Sequence, residues 1–244
     1  DYSASPYPVR DDLSFAYRNY WQQLARPGSW WNGAERVAIA QEVRNATSCK
    51  FCQRRKESLS PYQFPGEHEH SGNLPDAAVD AVHRIITDQS RITGAWIAEN
   101  TAAGLSEEHF VELLGVAVTV FSIDEFNRAL GLPLAALPTP VPGDPDGYRP
   151  ASAVHGTGYV AMVPSKGPFT ERESGLWPSG RGANVLRALS LVPDAVRGWA
   201  AVAAAQYLAL PGMMQFSGDL GRSIDRMQME VVAGRVSSHN ECFY

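Results

Sequence analysis

Glu230-Val-Val-Ala-Gly-Arg-Val-Ser-Ser-His-Asn-Glu-Cys-Phe-Tyr244 sets a carboxylate on an apolar, helix-compatible run and brings a cysteine twelve positions later. Between them Ser237, Ser238, His239 and Asn240 read as a polar turn. Serine and asparagine are good helix starters, so the pattern predicts that Cys242 lies in the first turn of a new helix. Aligned N–H dipoles at that position favour a thiolate over a thiol. His239 stands close enough in sequence to lower the Cys242 pKa when protonated, or to cap the helix.

The rest of the composition narrows the class. The chain has 244 residues, 44% of them hydrophobic and 19% charged, which is globular. A net charge of −5, with no basic cluster larger than Gln53-Arg54-Arg55-Lys56, argues against a nucleic-acid partner. No apolar run approaches the ~18 residues of a membrane span. No secretory leader pattern is visible at the start, so a cytoplasmic location is expected. Three cysteines are too few for a disulfide scaffold.

Helical periodicity dominates the first half. Positions 13, 17, 20, 21 and 24 keep helical spacing up to Arg26-Pro27-Gly28. Trp30 and Trp31 follow in a turn and are expected to seal the core edge, or to line a pocket. A second helix, 34–48, runs into Cys49-Lys-Phe-Cys52. A third is expected from Leu74-Pro75-Asp76 to about Asn100, with His83 as a satisfied core residue or a ligand. Ser106 caps a fourth, about 107–130, which stops at Gly131-Leu132-Pro133.

Cys49 and Cys52, at i and i+3, share one helical face and can close a disulfide within a turn. Three readings stay open. The pair is a redox-active dithiol; or it is a zinc site with His68 and His70 of Gly-Glu-His-Glu-His; or it is two inert buried thiols. The histidine spacing of two is not the usual three to five of zinc sites.

Residues 133–182 change character. Prolines at 133, 138, 140, 142, 145, 150, 164, 168 and 178 predict a long connector wrapped on the surface, serving as a lid, an interface arm or a disordered link, with a short strand at Tyr159–Val163. Helices resume at about Ala183, break at Pro193, run from Ala195 to Leu210, and return after Ser223 or Asp225 to carry Glu230. The expected domains are therefore 1–132, a first helical module with the Cys pair; 133–182, the connector; and 183–244, the start of a second module.

The terminal stretch resembles the active-site motif of the alkylhydroperoxidase D-like (AhpD-like) superfamily, which includes the carboxymuconolactone decarboxylases. That motif is Glu, eleven residues, Cys-x-x-Cys, three residues, His, with Asn two before the first Cys and Tyr just before the second. Glu230, Asn240, Cys242 and Tyr244 match it. Its second cysteine and histidine would be residues 245 and 249, so the second module is expected to be incomplete. The order of Asn184, Ala-Leu-Ser-x-x-Pro193, Glu230, Asn240 and Cys242 is that of an AhpD-like domain. In the first half Val37 stands where the family acid belongs, with Glu35 and Glu42 the nearest substitutes, and Lys56 stands where the histidine belongs.

The resemblance implies an all-α AhpD-like bundle of two pseudo-repeats, associating as a homo-oligomer. It implies a thiol-dependent peroxidase or disulfide reductase with no cofactor. The substrate would be a hydroperoxide or another small molecule, and a dithiol protein would be the reductant. Cys242, Glu230, Cys49, Cys52 and His239 are its candidate catalytic residues. Two alternatives are a non-redox decarboxylase or lactone-type enzyme on the same fold, and a non-catalytic subunit of a larger assembly.

Overall fold

Helix α6, Glu107–Ala129, is the axle of the computed structural model, and the other core helices pack around it. The structure describes residues 2–60, 64–70, 72–177, 180, 182–209, 212–213, 215–218 and 220–240. Among these it is all-α, with nine α-helices and no strand longer than an isolated bridge.

Local chemistry accounts for the helix ends. α1 (Asp11–Leu24) opens with two acids and buries Leu13, Tyr17, Tyr20 and Leu24, one stripe at i, i+4, i+7 and i+11. α2 (Gly33–Ala46) starts in a capping box between Asn32 and Glu35. α6 begins at its Ser106 cap. It ends in a Schellman turn: Gly131, at φ +68°, donates to Arg128 O, and Leu132 donates to Asn127 O. Trp31 is buried and donates its indole N–H to His109 O, and Trp30 donates to Tyr148 O. Both rings therefore close the core edge.

Three expected elements differ. The second helix stops at Ala46, and Cys49 becomes the N-cap of a separate helix, α3 (Lys50–Glu57). The helix expected from 74 to 100 is two, α4 (Asp76–Thr87) and α5 (Gly94–Ala102), with a 3₁₀ turn at Gln89–Arg91 between them. Asp88 breaks the first, and the Thr93 hydroxyl caps the second by accepting from Trp96 N. Tyr159–Val163 is no strand; Val154 and Met162 make one antiparallel bridge.

The connector does not stay on the surface. Val160, Ala161, Met162 and Val163 are buried, as are Leu176 and Trp177. Beyond it, α7 (Asn184–Arg187) is a single turn, and Pro193 opens α8 (Pro193–Gln206) rather than only breaking a helix. α8 packs on α1 and α6, so Leu191, Val192, Val202 and Ala205 join the same core as the first half. Gly115 permits that approach: a Cβ there would sit 2.8 Å from Ala195 Cβ. α9 (Arg226–His239) is capped by Asp225 and buries only Arg226 and Met229. It runs through Ser237, Ser238 and His239, where a turn is expected, and Asn240 N still donates to Val236 O at 3.0 Å.

Candidate functional site

Cys49 is held at the N-cap of α3 and Cys52 in its first turn, so the two sulfurs face the same side. That side meets α4, whose apolar face contains His83 between Val82 and Ile85. α4 packs on α2, which presents Glu42 inside its own buried stripe of Ile39, Val43 and Ala46. A carboxylate, an imidazole and two thiols thus meet in the interior; His83 has no exposed surface, and Glu42 and both cysteines are at most 2% exposed.

Their order is linear. Glu42 Oε1 lies 2.6 Å from His83 Nε2. On the other side of that ring, Nδ1 lies 3.2 Å from Cys52 Sγ. An Nε2–H that donates to Glu42 leaves the Nδ1 lone pair facing the thiol. Asn45 Nδ2 donates to the second Glu42 oxygen at 3.2 Å. Thr87 Oγ1 donates to His83 O at 2.7 Å.

A second histidine approaches from the loop between α3 and α4. His68 Nδ1 is 3.5 Å from Cys52 Sγ and 3.9 Å from Cys49 Sγ, and its Nε2 is 3.0 Å from Asp80 Oδ1. Its ring lies edge-on to Phe51. Asp80 also accepts from Arg55 Nη1 at 2.6 Å and from the Trp96 indole at 3.1 Å. Arg55, buried beneath Phe51, extends its other nitrogen to 3.9 Å from Cys52 Sγ.

The electrostatics follow from burial. Burial pushes the Cys52 thiol up to about 12. It also lowers the His68 pKa, against the raising effect of Asp80. Burial would raise Asp80, but hydrogen bonds from His68 and Arg55, with the charge of Arg84, outweigh it and hold that carboxyl well below the usual range. Outside His68 and Asp80 opens a cleft of about 670 Å³, walled by Phe51, Phe64 and Trp96.

No family model, no curated protein and no solved structure matches this chain.

The other sequence candidates are elsewhere. Glu230, on α9, accepts from the Tyr207 hydroxyl and pairs with Arg226. Arg226 is itself buried, donates to Met213 O at 3.2 Å, and stacks over Tyr207. Burial and the Glu230 hydrogen bond both push the Tyr207 pKa up. His239 is exposed in the last turn of α9, and Asn240 is the C-cap. Cys242 and Tyr244 lie outside the described residues. His70 is exposed and is not among the converging donors; His83 is.

Asp80, and the meeting of His83 with Glu42 beside the cysteines, are what the sequence did not point to; His83 and Glu42 each carried a signal. Glu42 is a charge on the apolar stripe of α2, and His83 is a polar residue on the apolar stripe of α4. Each alone is unremarkable; the pairing across two helices is the information.

Proposed function

We propose that Cys49 and Cys52 form the working dithiol of a thiol-dependent peroxidase or disulfide reductase, in keeping with the AhpD-like resemblance. The observation that carries this reading is the chain Glu42–His83–Cys52, with Cys49 one turn behind. Nucleophile, base and orienting carboxylate stand in hydrogen-bond sequence, which is the geometry that activates a weak nucleophile.

A free Cys52 thiolate is scarce at neutral pH, because burial pushes its thiol up to about 12. The proton has to leave during the attack. As Cys52 sulfur attacks the terminal oxygen of a hydroperoxide and the S–O bond forms, His83 Nδ1 takes the thiol proton. The O–O bond breaks, and the departing alkoxide takes that proton from the imidazolium, leaving as an alcohol. Cys52 is then a sulfenic acid. Cys49 sulfur attacks it, the hydroxyl leaves as water with the Cys49 proton, and a disulfide forms. Two thiols supply the two electrons that reduce the peroxide, and an external dithiol restores them. Glu42 keeps the His83 tautomer and stabilises the imidazolium.

The test is hydroperoxide consumption by the reduced chain with a dithiol reductant. Cys52→Ser should abolish turnover. Cys49→Ser should stop after one equivalent, with a sulfenic acid that a dimedone probe traps. Unchanged turnover in both variants would sink the proposal.

A further inference from the structure

The relay leaves His68 and Asp80 without a task. A peroxidase of the kind above needs one imidazole and one carboxylate; this centre has two of each, arranged alike. Both histidines turn Nδ1 toward the sulfurs and Nε2 toward a carboxylate, His83 to Glu42 and His68 to Asp80. We propose that Cys49, Cys52, His68 and His83 bind one zinc-class divalent cation in a closed tetrahedral site.

Distances support it. The four donor atoms all lie within 4.8 Å of one another. The sulfur–nitrogen separations are 3.2, 3.5 and 3.9 Å. Zinc bonds of about 2.0–2.3 Å require tetrahedral edges of about 3.3–3.8 Å. One ion at the centre therefore reaches all four donors with small adjustments.

The donor set also fits. Two thiolates and two neutral imidazoles neutralise a 2+ charge and match a borderline-soft ion. Imidazoles that bind metal usually give their distal N–H to a carboxylate, and both do here. The Arg55 guanidinium, within 3.9 Å of Cys52 Sγ, suits a sulfur that carries negative charge. Four protein donors fill a tetrahedron and leave no open coordination position, which is the mark of a structural site; Cys49, Cys52 and His83 are buried and His68 is half-buried. The ion would tie α3, α4 and the His68 loop together.

The inference does not rest on the redox reading. Metal and oxidant compete for the same two sulfurs, so a metal-bound chain is the thiol-protected form.

The experiment is anaerobic titration of the reduced full chain with cobalt(II), followed by displacement with zinc and X-ray absorption at the zinc edge. No peroxide is present, so failure of the peroxidase reading does not affect it. The expected result is one ion per chain, the visible bands of tetrahedral cobalt with a thiolate charge-transfer band, and a shell of two sulfurs and two nitrogens. Cys242→Ser and His70→Ala should leave this unchanged, and Asp80→Asn should weaken binding about 10–100-fold. The wild-type shell alone counts the ligands if a His68 or His83 variant does not fold. Absence of stoichiometric binding by the folded, reduced chain overturns the proposal. So does a shell without two sulfurs, or binding that survives in His68→Ala.

Discussion

Glu42 Oε1 stands 2.6 Å from His83 Nε2, a contact between two buried side chains on two different helices, α2 and α4. A buried carboxylate is costly unless it is paired, and here the imidazole N–H and Asn45 pair it.

Glu42→Gln keeps the shape and a hydrogen-bond acceptor but removes the charge. Peroxide turnover is expected to fall about 100-fold or more, the scale of general acid–base help. The fall should be in kcat rather than KM, since Glu42 touches no substrate. Steady-state kinetics with far-UV circular dichroism as the folding control checks this.

Asp80 sets an acid limit on stability. Its carboxyl is held below its usual range by His68, Arg55 and Arg84. A carboxylate depressed in the fold contributes stability that is fully present above the unfolded pKa and is lost as pH falls through the folded one. The stability difference between wild type and Asp80→Asn should be flat above about pH 5 and shrink below about pH 4. Denaturant melts across that range measure it.

Leu113 is fully buried in α6. Leu113→Ala leaves a cavity in the axle of the bundle and should cost about 2–5 kcal/mol. Equilibrium unfolding in urea should show a lower midpoint with the same slope.

Arg44 grips Asp124 with two nitrogens, at 2.8 and 2.9 Å, and so joins α2 to α6. Asp124 is 1% exposed. Asp124→Ala strands the guanidinium and should cost about 3 kcal/mol, the lower end for a broken buried pair. Adding Arg44→Ala should recover part of that loss, and a double-mutant cycle reads the coupling.

Much of the helical order was legible in the residues. The stripe 13, 17, 20, 24, the Ser106 cap and the Gly131 stop are local signals, and each appears where the pattern puts it. The split of the 74–100 stretch was less visible, because Asp88 and Thr93 act through side-chain bonds that compete with the helix. The proline-rich segment reads as surface from composition. Only packing decides that Val160–Val163 enter the core, where Val163 N donates to the buried Ser190 hydroxyl at 2.8 Å.

The site divides the same way. Sequence alone determined that Cys49 and Cys52 share a helical face, because three residues are close to one turn. It also pointed to His68 as a donor. It could not say that His83, 31 positions from Cys52, comes to 3.2 Å, or that Glu42 backs it. Those meetings depend on how α2, α3 and α4 cross. Crossing is set by the apolar faces they share and not by any residue near the cysteines. The tertiary structure replaced the exposed His70 with His83 for that reason: the loop that turns His68 inward leaves His70 in water, whereas a helix packed on its apolar face carries its polar residue inside with it.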